Sequence, residues 1–208
     1  MSEITKIESD KKDINRVYIY LDGDFFKSTL KEISFNLNLY EGKKIDRKTL
    51  NEIILKEDII KCKNKALQII NGASQSKKNL KNKLLKYGFE KDIIDRVILN
   101  LEEYDLINDK KLAQNIIKDK RRIKGFGKNR IFYDLLKKGI SKDIAQNEIN
   151  RLENKELELE NAIYLAKKKY KKIKDTDKRK IYQKMANHLS YKGFDYDIIK
   201  KAINEVIK

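Results

Sequence analysis

Tyr87-Gly88-Phe89-Glu90-Lys91-Asp92-Ile93-Ile94, Lys138-Gly139-Ile140-Ser141-Lys142-Asp143-Ile144-Ala145 and Lys192-Gly193-Phe194-Asp195-Tyr196-Asp197-Ile198-Ile199 are three copies of one phrase. Each reads Gly, then Phe or Ile, two variable residues, Asp, Ile. The copies lie 51 and 54 residues apart. A fixed period of this length marks a stacked-repeat architecture. Such proteins offer long surfaces rather than deep pockets, so binding is expected before catalysis.

Each copy is a helix stop followed by a helix start. Gly88, Gly139 and Gly193 follow apolar helical stretches and suit the left-handed residue just past a helix end. Phe89, Ile140 and Phe194 are placed to fold back onto that end. Glu90, Ser141 and Asp195 stand at the next N-cap, where Ser and Asp serve well and Glu less well. The acidic residue two positions on meets the positive end of the helix dipole. An apolar stripe then begins: Ile93, Ile94, Val97, Ile98 and Leu101 in the first copy, Ile144, Ala145, Ile149 and Leu152 in the second, Ile198, Ile199, Ala202, Ile203 and Val206 in the third. Its spacing is that of one buried helical face. Leu84, Leu135 and Leu189 obey the same offsets and are expected to be equivalent and buried. A further helix precedes each pair, over 58–71, 109–124 and 155–174, so every copy is a helix triplet.

The first residues read differently. Val17, Ile19 and Leu21 alternate with Tyr18 and Tyr20 as in a strand. Asp22-Gly23 then favours a two-residue hairpin turn, with Phe25, Phe26, Ser28 and Thr29 on the return strand. Residues 4–7 supply a third strand, and amphipathic segments over 30–39 and 46–55 lead into the repeats. The expected fold is mainly α: three tandem three-helix repeats in an elongated curved array, after a small N-terminal unit containing a β-hairpin. The expected divisions are 1–57, 58–108, 109–153 and 154–208.

Composition narrows the function. The 208 residues are 40% hydrophobic and 39% charged, with the charges interleaved at helical period, which argues against disorder. No apolar run is long enough to span a membrane, and the start lacks the apolar core of a signal peptide. The one cysteine, Cys62, excludes an internal disulfide and accords with a cytoplasmic location. The net charge is +17 and unevenly placed. Residues 109–140 carry eleven Lys/Arg against three Asp, and residues 165–184 ten against two. Each window is therefore +8, and nearly the whole excess lies in a quarter of the chain. Clustered positive charge is the footprint of a polyanion-binding surface.

Candidate site residues follow from those windows. Lys120, Arg121, Arg122 and Lys124 close one helix, Gly125-Phe126-Gly127 turns, and Lys128 and Arg130 open the next. Free N–H groups at that helix start can receive a phosphate or carboxylate, with Lys128 and Arg130 beside it. Phe126 is expected to pack inward. In the second window Lys167, Lys168, Lys171 and Lys172 surround Tyr170 and Ile173, which fall at helical spacing and are expected to be buried. Phosphate contact and plain solubility both fit those lysines. Catalytic signals are absent. His188 is the only histidine and sits on a core-forming helix. Cys62 has no partner at metal-ligand spacing, and Asp22 and Asp24 are explained by the turn. No catalytic residue, metal or cofactor is expected.

Together these features resemble the regulatory protein RecX family, small bacterial modulators of RecA recombinase. The match runs from Ala66-Leu67 through Ser76, Asn79-Leu80, Lys83-Leu84 and Gly88-Phe89. It continues with Leu101, Tyr104, Leu106-Ile107-Asn108-Asp109 and Leu112-Ala113. The most telling part is Gly125-Phe126-Gly127, Arg130-Ile131, Leu135 and Lys138-Gly139-Ile140. The chain departs from the usual pattern at Ala73-Ser74-Gln75, where the family carries arginines, at Asn79 for a glutamate and at Leu112 for an aromatic residue. The chain is expected to be a monomer, and the resemblance implies a non-enzymatic protein lying in the groove of a RecA–DNA filament. There it bridges neighbouring subunits and restrains ATP turnover, growth or strand exchange. It alone supplies RecA as a partner; the residues themselves point to single- or double-stranded DNA, or RNA, bound without sequence preference. A metal-dependent nucleic-acid-processing enzyme is a further class open to the composition.

Overall fold

The computed structural model describes residues 1–11 and 13–207. These form two compact units, Met1–Ile107 and Asn108–Lys208. The first unit begins with four antiparallel strands, β1 (Ser2–Ser9), β2 (Arg16–Leu21), β3 (Asp24–Leu30) and β4 (Lys44–Ile45), ordered β3-β2-β1-β4. Asp22 and Gly23 both have positive φ, 52° and 92°, the combination a two-residue hairpin turn of matching twist requires. The first strand is longer than expected at both ends. A short helix, α1 (Lys31–Asn36), follows β3.

Helix α2 (Arg47–Gly72) is a single helix where two segments were expected. Asp46 starts it by accepting from the Thr49 N–H at 2.8 Å. Buried Leu50, Ile54, Asp58, Cys62 and Ala66 then follow at an unbroken four-residue spacing. No glycine or proline interrupts the span, so nothing ends the helix near residue 56. Its first half covers Ile4, Ile19 and Leu21 of the sheet. Its second half joins α3 (Lys77–Lys86) and α4 (Lys91–Glu103) in the first triplet, around Leu80, Leu84, Ile94 and Leu101. One rod thus serves two cores.

The second unit holds the other triplets: α5 (Asp109–Arg122), α6 (Lys128–Lys137) and α7 (Lys142–Arg151), then α8 (Lys155–Tyr170), α9 (Lys178–Tyr191) and α10 (Tyr196–Val206). Leu84, Leu135 and Leu189 are each fully buried at the same place in their triplets. The repeated phrase closes α3, α6 and α9 in one geometry. Phe89, Ile140 and Phe194 N–H groups reach back to the carbonyls of those three leucines, and the preceding glycines donate to Leu85, Leu136 and Ser190. This paired closure needs a left-handed residue, and the glycines supply it at φ 84°, 82° and 89°. The chain is therefore mainly α, with three three-helix repeats after a small strand-containing unit.

Two details differ from the periodicity. α8 stops at Tyr170 rather than residue 174, and Tyr170 is exposed while Ile173 packs against the third core. The lysine-rich turn after α8 breaks the helical register, so the two no longer share a face. Asp195, at the α10 N-cap, makes no side-chain cap bond, because its carboxylate is engaged across the turn before α6.

Candidate functional site

The first basic window is split by burial. Lys120 and Arg122 end α5, Lys124 and Phe126 lie in the turn, and Arg130 occupies the first turn of α6. Arg121 does not join them. Only 8% of it is exposed. Its guanidinium donates to the Leu152 carbonyl and, at 3.5 Å, to that of Ile149, closing the C-terminal end of α7. Burial pulls its pKa down, and the Glu158 and Glu153 carboxylates oppose that pull. A cation at a helix C-terminus satisfies orphan carbonyls and opposes the dipole. The reading of Arg121 as an outward phosphate ligand is corrected accordingly: at the helix spacing of α5, position 121 falls on the inner face with Ala113 and Ile117.

The start of α6 is likewise occupied. Gly127 N–H donates to the Lys192 carbonyl at 3.0 Å, Asn129 N–H to the Gly193 carbonyl at 3.1 Å, and Lys128 N–H to the Glu158 carboxylate at 3.1 Å. Backbone approaches backbone here: a Cβ on Gly127 would lie 2.4 Å from the Gly193 carbonyl oxygen. The second repeat's Gly-x-Gly turn is a joint to the third repeat's turn, not an open anion site. Lys128 and Asn129 then share Asp195, through an ion pair and a 2.7 Å hydrogen bond. The hydrogen bond from Lys128 to Asp195, then their charge attraction, raises the lysine pKa.

Beside this joint lies a cation–aromatic cluster. Phe126, half-buried, has Lys120, Arg130 and Lys192 over its ring at 5.4, 5.8 and 5.2 Å. Arg130 also stacks at 5.3 Å on exposed Tyr191. Lys120 pairs with Asp134 at 2.8 Å, and Arg130 lies 3.6 Å from the same carboxylate. Three cations and two aromatic rings thus gather here, with Asp134 beside two of the cations. Tyr191 and Lys192 belong to this cluster and lie outside both charge windows. Their signal was the position just ahead of Gly193 in the third phrase, which the joint brings against the second turn.

Arg122 and Lys124 are exposed and make no ion pair among the described residues. Gly125, between Lys124 and Phe126, lies against Asn161 and Leu165 of α8, whose Asn161 amide donates to the Arg121 carbonyl at 3.1 Å. Lys167, Lys168, Lys171 and Lys172, just beyond that contact, are all exposed. Three residues of helix advance about 4.5 Å, so this basic end begins close to the Lys124 turn. The second unit therefore presents exposed Arg122, Lys124 and four α8-end lysines, backed by the cluster on Phe126.

The remaining candidates are quiet. His188 is partly buried, and burial, Lys192 and Lys169 lower its pKa. Burial pushes the Cys62 thiol up to about 12, with the Asp58 charge adding to it. Neither lies in a group of metal-ligating side chains among the described residues, and no described helix is long and apolar enough to cross a membrane.

The chain is similar to known proteins along nearly its whole length. Residues 2–46 match the regulatory protein RecX N-terminal domain, and 62–101, 108–147 and 156–203 match the first, second and third three-helix domains of RecX. The chain is 47% identical over 207 residues to the regulatory protein RecX of Clostridioides difficile (strain 630), covering all of this chain and 97% of that one. It is 37% identical to the RecX of Clostridium perfringens (strain 13 / Type A), covering 99% and 97%. The crystal structure of RecX from Lactobacillus salivarius superposes with a TM-score of 0.69 at 31% identity, over 73% of this chain and 98% of that one. A second crystal structure of a regulatory protein RecX, 22% identical, shares the fold over 99% of this chain and 100% of its own, with a TM-score of 0.70.

Proposed function

This chain belongs to the RecX family of regulatory proteins, and from that premise we propose that it binds RecA–DNA filaments and restrains their ATP turnover, growth and strand exchange. It acts without catalysis of its own, as a cytoplasmic monomer. The observation that carries the site is the exposed cation group of the second unit. Arg122, Lys124, Lys167, Lys168, Lys171 and Lys172 stand in solvent and pair with no carboxylate among the described residues. Arginine and lysine so placed neutralise phosphate. Lys120 and Arg130 share Asp134 and Lys128 pairs with Asp195, so these three are partly neutralised before any partner arrives. Arg121 holds the α5–α7 pair together and is not part of the contact.

The test is RecA ATPase and strand exchange on single-stranded DNA, titrated with the purified full chain. Suppression is expected. The Arg122→Ala/Lys124→Ala/Lys168→Ala/Lys171→Ala variant should keep its helical signal and require several-fold more protein for the same effect. Suppression by that folded variant at wild-type concentration removes these residues from the contact. Binding to naked DNA with no effect on RecA would instead make the chain a sequence-independent nucleic-acid binder without a recombinase partner.

A further inference from the structure

A second lysine-rich surface lies wholly in the first unit, outside both basic windows. A cleft of about 680 Å³ opens where Asn15, Leu30, Lys31 and Glu32 face Lys61, Asn64, Lys65 and Gln68 of α2, with Tyr87 and Phe89 at one wall. A neighbouring cleft of about 500 Å³ shares Gln68 and Tyr87 and carries Lys83 and Lys86. Tyr87 lines both, so the two form one groove passing its ring. Volumes of this order hold small ligands or a few linked groups.

Its chemistry is selective. Among the described residues five lysines line the groove and Glu32 is its one carboxylate, already paired with Lys61. Lys31, Lys83 and Lys86 are exposed and make no ion pair among the described residues. Tyr87 keeps 47% of its surface in solvent although it follows a core helix, and the Lys65 ammonium sits 4.0 Å from its ring centre. Asn15, Asn64 and Gln68 add side-chain amides, which both donate and accept. Cations that track a backbone, a half-exposed ring and amides suited to base edges are the parts of a single-strand binding groove. An acidic peptide would satisfy the lysines and could bond the amides, but its carboxylates offer no flat face to stack on the ring.

We infer that this groove holds a segment of single-stranded DNA, its phosphates on Lys31, Lys65, Lys83 and Lys86 and one base against Tyr87. The choice of DNA over RNA rests on the recombinase reading; the groove itself does not.

The chain contains no tryptophan, so Tyr87→Trp installs a lone reporter on the exposed α3 end. The full-length variant is titrated with end-labelled oligothymidylate at low salt, following tryptophan emission and label anisotropy together. Quenching that tracks the anisotropy rise is expected. In the Arg122→Ala/Lys124→Ala/Lys168→Ala/Lys171→Ala background, where the second unit's contact is weakened, Tyr87→Ala should weaken binding at least about fivefold, the lower end for loss of one base–aromatic stack. Lys65→Gln/Lys86→Gln in the reporter background should reduce both signals with the helical signal intact. Flat anisotropy, or binding with unchanged emission, overturns the inference. So does tighter quenching by oligouridylate, which assigns RNA, or by oligoglutamate, which assigns an acidic peptide. Arg122→Ala/Lys124→Ala should leave the quenching unchanged, so loss of RecA regulation there separates failure of one reading from failure of the other.

Discussion

At Arg121 the guanidinium is turned inward onto the Ile149 and Leu152 carbonyls, while Arg122, one residue on, stands in solvent. Adjacent helical residues are 100° apart around the axis, so one of them shares the face of Ala113 and Ile117 and the other cannot. Removing the Arg121 head leaves buried helix-end carbonyls without a donor. Arg121→Ala should therefore cost about 1–3 kcal/mol, whereas Arg122→Ala should stay within about 0.5 kcal/mol, as surface changes do. Urea denaturation of the two variants checks this; equal midpoints would show that the inward bonds contribute nothing. The same contrast separates Asp195 from Ser141. Both stand at N-caps, but Ser141 accepts from the Ile144 N–H, while Asp195 is drawn to Lys128 and Asn129.

At the scale of elements, α2 carries a buried carboxyl where sheet and repeat meet. Asp58 interrupts an apolar stripe and accepts from the Thr29 hydroxyl of β3 at 3.2 Å. Burial raises its pKa to about 6, with the Thr29 bond opposing and the Glu90 charge adding. A carboxyl whose folded pKa exceeds its unfolded value holds a proton in the folded chain that the unfolded chain has released. Stability therefore falls as pH rises from about 4 through about 6, by on the order of 1–3 kcal/mol. Asp46 and Asp175, whose pKa values are lowered by hydrogen bonds, act oppositely and below about pH 4. Asp58→Asn should thus be more stable than the parent at pH 7.5 and nearly equal to it at pH 4. Chemical denaturation at the two pH values measures it; an equal gap at both would place the cost in packing rather than ionisation.

At the scale of the molecule, the +17 charge is organised rather than diffuse. In the second unit part of it is internally matched, by Asp134, Asp195, Glu148 and Asp175, and Arg122, Lys124 and the α8-end lysines are among its outward cations. Binding that uses them releases counterions, so affinity for single-stranded DNA should fall with salt at a log–log slope of about −0.7 per phosphate neutralised. With these six engaged the second unit contributes roughly −4. Lys168→Ala/Lys171→Ala should reduce the slope by about 0.7 for each residue removed. An unchanged slope would show that these lysines serve solubility, the alternative their spacing left open.

The sequence by itself determined the repeat. A Gly at the helix end, an apolar residue behind it and an acid in the next first turn are local demands of chain geometry and dipole, and all three phrases fold as they read. The hairpin is equally local, since Asp-Gly accepts two positive φ values in succession. Tertiary structure alone decided what receives the inward cation. Helical spacing puts Arg121 rather than Arg122 on the face of Ala113 and Ile117, but the carbonyls that take its hydrogen bonds come from the end of α7, some thirty residues on. The α6 start looked open because its partners, the Lys192 and Gly193 carbonyls, lie a whole repeat away. Tyr87 reads as an ordinary residue before a helix stop until α2 and the sheet close a groove around it. Helix and turn are set by neighbours within a few residues, whereas exposure is set by whichever distant backbone arrives to take the hydrogen bonds.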